Sequence, residues 1–494
     1  MNHKLNDRLS VNARVSYDQM KVYGMGTSEG GDRFNKMQHI LQYRPMIGIG
    51  GTDDLLLGDE DPIFVDDTGN VMQNPLLSAA EETNDREYRT FQANGGFTLK
   101  LFKGFSFRNT TGMRYQTRRN DIFYGDKSIT AKRSSINGSI QNLENSSFQT
   151  SNVLNYTWSG KGHDVTAMVG QEYVNRWSRN FKAAAANFPN DDIGLGDLSL
   201  GLPTAVSSAE NYDDKLLSFF TRVNYGFKDK YLFTASFRAD GSSKFAEGNR
   251  WGYFPSAAAA WRVSEEGFWK DNAIGNVVNN FKLRVGYGTT GNCNIDNYMY
   301  ATAYNATVYP VGNQETAALA PGSTVGNNNL KWEKTVSTNI GLDLGLWGNR
   351  VNLTLDWYNN KSDDLLMKVA IPTSTGYTHQ YQNIGSIRNR GLEIAISSTN
   401  IRNKHFTWTT DFNISFNRSK VLRIDGENEY YQTSVSGGTN SSVLYRAIVG
   451  HSLGEMYGYK TNGVYTTDDF VQNGDKYVLK DGVILSERIC KNSI

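Results

Sequence analysis

Long apolar runs are missing from this sequence, and their absence excludes one class of membrane protein. Only 38% of the 494 residues are hydrophobic, and the mean hydropathy is −0.52. No run of about 18 apolar residues occurs, so the chain cannot cross a bilayer as helices. Cysteine is also scarce: Cys293 and Cys490 lie far apart without metal-ligand spacing. The sequence leaves open whether these two thiols pair.

An excess of either charge is missing as well. Lys and Arg number 51, Asp and Glu number 50, and the net charge is +1. Without a strong positive field, nucleic-acid binding is disfavoured. Proline is scarce at 9 residues, whereas Tyr reaches 27, Phe 24 and Gly 48. This balance favours strands and turns over helices, so we expect an all-β protein.

The opening residues, MNHKLNDRLSVNARVSYD, lack the basic and apolar regions of a secretory signal. We therefore expect either a cytosolic protein or a chain that begins inside a longer precursor.

Catalytic and metal-binding motifs are absent too. The six histidines are scattered without an HExxH pattern, and no GxSxG nucleophile motif occurs. GIGG at 48–51 lacks the strand-to-helix context of a dinucleotide site, and Asp475 and Asp481 do not match a calcium loop. We predict no catalytic residue, no metal site and no cofactor, and hence no enzyme.

What the sequence does contain is a repeated period of two. LSVNARVSY at 9–17 and FTWTTDFNISF at 406–416 each place apolar residues on one face and polar residues on the other. Each segment is near the length of about 10 residues that a tilted strand needs to cross a bilayer. About eleven more such segments lie between them, at 89–101, 105–115, 148–158, 164–173, 216–227, 231–240, 256–263, 281–288, 334–346, 351–358 and 390–397.

The connectors between these strands form two alternating classes. Short ones lie at 102–104, 159–163, 228–230, 347–350 and in the segment that ends at His405, with a longer member at 264–280. Long polar ones lie at 19–88, 116–147, 174–215, 241–255, 289–333 and 359–389. Such alternation predicts an antiparallel up-and-down transmembrane β-barrel with short periplasmic turns and long extracellular loops, in preference to a soluble sandwich.

The two faces of the strands support a barrel. Charged residues recur on the polar face, where a water-filled or plugged lumen accepts them: Arg14, Arg108, Arg222, Arg238, Arg262, Lys282, Arg284, Asp343, Asp356 and Asp411. Aromatic residues recur at strand ends on the apolar face, as in the girdles at a bilayer surface: Tyr225, Trp261, Tyr287, Trp347, Trp357 and Trp408.

The long connectors are rich in aromatic residues beside Asn, Asp and Gln, a combination that can stack on sugars or line a peptide site. Loop packing is the alternative for any single ring. We take six tyrosines as candidate contacts for a ligand or a lid: Tyr298, Tyr300, Tyr304, Tyr309, Tyr377 and Tyr381.

Several blocks resemble a known family. YLFTASFRADGSSKFAEGNRWGYFPSAAAAWRVSEEGFW, from residue 231, is similar to the signature block of SusC/RagA-type TonB-linked outer-membrane transporters. Matching blocks follow at 281–292, 327–366, 381–397, 406–421 and 449–465, with looser ones at 41–45 and 186–191. The signature residues carried over from this family are Arg238, Asp240, Gly241, Arg250, Trp251, Phe254, Pro255 and Trp261.

The resemblance implies a barrel of about 22 strands in the outer membrane of a Gram-negative cell, closed by an N-terminal plug. It implies import of oligosaccharides or peptides, with energy passed by TonB from the inner membrane. It also implies a SusD-like surface lipoprotein that lids the barrel, contact with the lipid bilayer, and no nucleic-acid partner.

The chain departs from the family pattern at both ends, because no TonB box, plug or closing strand is recognisable. We therefore expect 1–494 to be a partial barrel domain with a loop-rich truncated end at 417–494. About thirteen strands would leave two open edges, so we expect this fragment to be inactive alone. The alternative is a stand-alone surface β-protein, either an adhesin or a carbohydrate-binding module.

Overall fold

The computed structural model describes residues 2–24, 63–65, 71–73, 81–312, 314–424, 430–437, 440–456, 470–473 and 476–480. The family-like segment 41–45, Cys490 and much of the loop-rich end expected at 417–494 lie outside the described residues. None of the helices described in these ranges is long and apolar enough to cross a membrane.

Strands account for most of the described chain, as the shortage of helix-favouring patterns predicts. They are β1 (Asn2–Lys4), β2 (Leu9–Val22), β3 (Ile63–Val65), β4 (Val71–Gln73), β5 (Glu82–Lys100), β6 (Phe105–Tyr124), β7 (Asn137–Gly160), β8 (His163–Ala186), β9 (Leu202–Phe227), β10 (Tyr231–Ser242), β11 (Trp251–Arg262), β12 (Val278–Asn292), β13 (Tyr304–Val311), β14 (Gln314–Pro321), β15 (Thr324–Val325), β16 (Glu333–Leu346), β17 (Val351–Asp363), β18 (Leu366–Ala370), β19 (His379–Asn383), β20 (Ser386–Arg402), β21 (Thr407–Arg423), β22 (Tyr430–Gly437), β23 (Asn440–Ile448), β24 (Glu455–Met456), β25 (Phe470–Asn473) and β26 (Lys476–Leu479).

Helices are short and lie in connectors. The α-helices are α1 (Ile129–Ser134), α2 (Gly267–Lys270) and α3 (Ala273–Val277). Single 3₁₀ turns cover Gly194–Gly196, Leu198–Leu200, Val263–Glu265 and Thr373–Thr375.

One antiparallel sheet dominates the fold. It has 14 strands in the order β1-β2-β5-β6-β7-β8-β9-β10-β11-β12-β16-β17-β20-β21, so each strand pairs with the next strand of the sheet along the chain. All of these except the three-residue β1 match the strands predicted from the sequence. The predicted all-β, up-and-down antiparallel architecture is therefore confirmed, and within the described residues the sheet is open rather than closed into a cylinder.

Short connectors lie at one end of this sheet, as predicted. Between β7 and β8 the connector is a two-residue turn in which Lys161 and Gly162 have φ values of 52° and 79°. Positive φ at both central positions is typical of a type I′ turn, whose twist matches that of the paired strands. The longest connector at this end, between β11 and β12, contains α2 and α3.

The strands extend further than predicted at the other end. The expected loop 116–147 holds the last part of β6 and the first part of β7. The expected loop 174–215 holds the last part of β8 and the first part of β9. The expected loop 241–255 likewise loses Trp251 and its successors to β11. In the first two extensions polar and charged residues occur on both faces, so strict alternation disappears from the sequence although backbone pairing continues.

The apolar face is continuous across the sheet because residues paired between strands point to the same side. One row of register partners runs through Trp158, Val165, Tyr225, Phe233, Ala259, Val285, Ile340, Trp357, Leu392 and Phe416. A neighbouring row on the polar face runs through Asn224, Thr234, Ala258, Gly286, Asn339, Tyr358, Gly391 and Asn417. Several members of the apolar row are about half exposed, including Phe233 at 50% and Ile340 at 52%.

The larger of the two buried clusters found among the described residues lies under the long connectors rather than behind the sheet. It consists of Phe245, Phe254, Ile295, Leu330 and Trp332. Phe245 and Leu330 are completely buried. The small sheet of β15, β19 and β18 adds Leu366 and Tyr381 to its surroundings. The long connectors are therefore anchored to the end of the main sheet by a packed core.

Candidate functional site

The polar face carries an ion network on three consecutive strands. Arg284 on β12 donates to both carboxylate oxygens of Asp343 on β16, at 2.9 and 3.0 Å, and to Asp356 on β17 at 3.1 Å. Lys282 Nζ lies 3.6 Å from the same Asp343. The Arg284 guanidinium lies against Gly341 and fills the space that a Cβ at this position would occupy. The network holds two basic and two acidic groups, so this part of the polar face is charged and locally balanced.

Arg238, the first family-signature residue, is the centre of a second network on the same face. Its guanidinium donates to Asp240 at 2.7 Å, to Ser218 at 2.9 Å and to Glu172 at 3.2 Å. It also lies over the Phe220 ring, 5.4 Å from the centroid. These partners come from β8, β9 and β10, so Arg238 and Asp240 tie three strands together.

Gly241, Trp251 and Pro255 shape the upper end of the β10–β11 pair. The Trp251 ring lies against Gly241, where a Cβ would come within 3.0 Å of the indole. Pro255 pairs with Phe237 of β10, whereas pairing of β11 with β12 begins only at Ser256. Since proline has no N–H to donate, the ladder with β12 ends where Pro255 stands.

Phe254 belongs to the buried cluster under the loops, and Arg250 is bonded to that cluster. The Trp332 indole donates to the Arg250 carbonyl at 2.8 Å, and its ring meets Phe254 edge-on at 5.5 Å. The Arg250 guanidinium donates in turn to the Phe245 carbonyl at 3.3 Å. These two signature residues therefore fix the connector 289–333 onto β11.

Trp261 lies at the opposite end of β11, next to the short connectors. Its indole and the Tyr231 hydroxyl both donate to Glu266 Oε1, at 3.1 and 2.6 Å. Lys230 donates to the other oxygen at 2.9 Å. These three donors lower the pKa of Glu266 to about 2, with the Tyr231 bond as the largest cause. Trp251 and Trp261 thus stand at the two ends of one strand, 42% and 37% exposed.

The six candidate tyrosines lie on several different elements of the long connectors. Tyr298 and Tyr300 are ring neighbours at 6.4 Å, and Tyr381 packs against the buried cluster, which raises the pKa of its hydroxyl through burial. Tyr304 and Tyr309 lie on the β13–β14 hairpin, 60% and 64% exposed. The sixth, Tyr377, lies between β18 and β19.

A polar cavity that sequence reasoning missed opens on the polar face near the long connectors. Its volume is about 330 Å³. Its charged walls are Arg114 of β6, Arg176 of β8 and Asp214 of β9, and Asn297 covers it from the connector 289–333. The sequence signal for it is weak: Arg114 lies on the polar face of the predicted strand 105–115, and Arg176 lies in the predicted loop 174–215.

The electrostatics of this cavity are asymmetric. Arg176 Nη1 lies 3.5 Å from Asp214 Oδ2, whereas Arg114 has no hydrogen bond or ion pair with any described residue. Asn297 Oδ1 is buried without a hydrogen-bond partner. No group of three or more His, Cys, Asp or Glu side chains that could hold a metal ion occurs in the part of the chain that the structure describes.

Comparisons with known proteins agree with this architecture. Residues 38–482 match the family described as "TonB dependent receptor-like, beta-barrel". The chain is similar to TonB-dependent receptor P39 of Formosa agariphila, with 33% identity over 472 residues that cover 94% of this chain and 43% of the relative. It is also similar to TonB-dependent receptor SusC of Bacteroides thetaiotaomicron, with 38% identity over 288 residues, 54% of this chain and 28% of that receptor.

Among solved structures, the RagAB peptide transporter superimposes with a TM-score of 0.75 and 22% identity, covering 94% of this chain and 50% of the other. At this identity the likeness concerns the fold alone. The chain spans less than half the length of the curated relatives named above.

Proposed function

The chain belongs to the TonB-dependent receptor-like β-barrel family, whose members are outer-membrane β-barrel proteins. We propose that it forms part of the wall of a nutrient importer. The proposal is supported by the division of one sheet into a continuous apolar face and a charged face. The first faces lipid and the second faces the lumen. Residues 1–494 supply a partial barrel domain and do not transport alone.

The cargo is an oligosaccharide or a peptide. The SusC/RagA-like signature block supports this class, and the fold neighbour RagAB is a peptide transporter. The rim of the lumen, where the long connectors meet the sheet, offers aromatic rings and polar side chains to such ligands. The exposed tyrosines Tyr304 and Tyr309 are the most accessible of the six candidates.

Two partners complete the importer. TonB supplies energy from the inner membrane, and a SusD-like surface lipoprotein presents the ligand at the long connectors. The contrast between the two ends of the sheet supports this arrangement: compact turns at one end leave little surface for a lid, whereas the long connectors at the other end form a packed platform around Trp332.

Uptake by cells tests the proposal. The full-length receptor is expressed in the outer membrane, and uptake of labelled oligosaccharides and peptides is compared in otherwise identical cells with and without TonB. We expect at least one probe to enter only when both receptor and TonB are present. Uptake that is indifferent to TonB, or a receptor that remains a soluble monomer without detergent, would favour the alternative of a surface β-protein.

A further inference from the structure

The cavity between β6, β8 and β9 has an unbalanced set of charges. Arg114 and Arg176 contribute two guanidinium groups, and Asp214 contributes one carboxylate. The single ion pair that these groups form, Arg176 to Asp214, is long at 3.5 Å. Among the described residues that line the cavity, one positive charge therefore has no counter-charge.

Arg114 is the group that holds this charge. It follows Gly112 on the polar face of β6, and it has no partner among the described residues. Its neighbour on the same face, Gln116, is held in place by a bond to Thr90 at 3.1 Å. A guanidinium that offers five donors and has no acceptor among the described residues is suited to a planar oxyanion, which it binds through two parallel hydrogen bonds.

The remaining walls of the cavity are polar except for the Trp177 ring. Ser146, Ser147 and Ser178 line it, and Asn297 closes it from the connector side with a buried oxygen that has no partner. A buried acceptor without a donor is unfavourable unless a ligand or water supplies one. A volume of about 330 Å³ lies at the small end of the range for ligand pockets and suits one residue of a longer chain.

We propose that this cavity binds a carboxylate of the imported ligand. Arg114 forms the bidentate contact, Arg176 contributes a second positive charge, and the Asn297 oxygen accepts a hydrogen bond from a hydroxyl or amide of the same ligand residue. The proposal rests on the proposed import function and adds the chemical class of the cargo. The carboxylate belongs either to a uronic acid in an oligosaccharide or to the C-terminus of a peptide.

Binding measurements on the full-length receptor test this assignment. The probes are tri-galacturonic acid, its methyl ester, a tripeptide with a free C-terminus, the amidated tripeptide and neutral maltotriose. Titration calorimetry is performed on the wild type, Arg114→Gln and Arg176→Gln. Arg108→Gln is the matched control, because Arg108 lies lower on the same face of β6 and does not line the cavity.

We expect at least one carboxylate probe to bind the wild type more tightly than its neutralised counterpart. Arg114→Gln should weaken the binding of that probe by roughly ten- to a hundredfold, as expected for loss of a charge-assisted pair. Arg108→Gln should leave its binding unchanged. The acid that binds identifies the source of the carboxylate. Equal binding of charged and neutralised probes, no binding of either acid, or an equal effect of Arg108→Gln would overturn the inference.

Uptake distinguishes this failure from failure of the import function. TonB-dependent uptake of maltotriose or the amidated tripeptide, without preference for an acid, refutes only the carboxylate site. Tight acid binding that requires Arg114, without TonB-dependent uptake of any probe, supports the site and refutes import.

Discussion

Placing an arginine on either face of the β10–β11 hairpin tests the assignment of the two faces. Ala235 on β10 and Ala258 on β11 are both exposed alanines, at neighbouring register positions. Ala235 pairs with Val223 and Ala257 on the apolar face, whereas Ala258 pairs with Thr234 and Gly286 on the polar face. The same substitution, alanine to arginine, therefore probes lipid in one case and the lumen in the other.

The expected magnitude follows from the depth of Ala235. It stands four residues after Tyr231, a distance of about 13 Å along a strand. With a tilt of about 40°, this places it about 10 Å into an apolar band about 25 Å tall, close to its centre. Ala235→Arg should then lower the free energy of unfolding by about 2 to 4 kcal/mol. Ala258→Arg should change it by no more than about 0.5 kcal/mol.

Urea titration of the full-length receptor in lipid bilayers, followed by tryptophan fluorescence, measures both values. Ala235→Leu controls for side-chain size: it adds apolar surface toward lipid and should leave stability unchanged or slightly raised. Equal losses for the two arginine variants, or a larger loss for Ala258→Arg, would refute the assignment of the faces.

Three further substitutions test the networks at different heights of the sheet. Arg284→Met leaves the partner carboxylates without a guanidinium and should lower the free energy of unfolding by about 1 to 3 kcal/mol. This is less than for a fully buried pair, because the groups are 20–28% exposed. In urea titrations, Asp343→Asn in the same background should recover part of this loss. Glu266→Gln should lower the melting temperature most above pH 4.5, and the difference from wild type should shrink as the pH falls toward 2. The reason is that the low pKa of Glu266 stabilises the folded state only while the carboxylate is charged. A difference in melting temperature that widens in acid would contradict this. Trp332→Ala should lower the stability of the loop cluster by about 3 kcal/mol and speed hydrogen exchange of the Phe254 amide. Unchanged exchange would show that the indole does not anchor the connector.

The main sheet could be predicted because a bilayer imposes a strict rule on sequence. A strand with lipid on one side and polar surroundings on the other must alternate, and this alternation marked every long strand of the sheet. Val285 and Arg284 illustrate the rule: the first continues the apolar row, and the second binds Asp343 across the polar face. The family membership and the outer-membrane location followed from the blocks between Tyr231 and Tyr465.

The strand extensions could not be predicted, because the rule ceases above the apolar band. Arg119 pairs with Asp121, and Arg179 with Glu210, on the side that is apolar further down. With polar groups on both faces, the upper parts of β6 to β9 resemble loops in sequence, yet their backbones remain paired.

The cavity could not be predicted in part for the same reason, because Arg176 lies in the extended part of β8. There is also a second reason. Arg114 and Arg176 lie on β6 and β8, separated by the whole of β7, and only the register brings them together. Asn297 joins them from a connector whose course depends on packing around Leu330 and Trp332. For the six tyrosines, local composition predicts candidate contacts, and their role as ligand contacts stays a prediction.

The two tryptophans at the ends of β11 have a consequence for where the protein can reside. Ten residues separate Trp251 from Trp261, which corresponds to about 33 Å along the strand and about 25 Å across a membrane at a tilt of about 40°. The pair therefore sets a hydrophobic thickness, and the hydrogen bonds of Trp261 and Tyr231 to Glu266 fix its lower boundary. Bilayers of longer-chain lipids would have to thin around this strand or tilt it upright. We therefore expect this strand to fit a thin membrane better than a thick one.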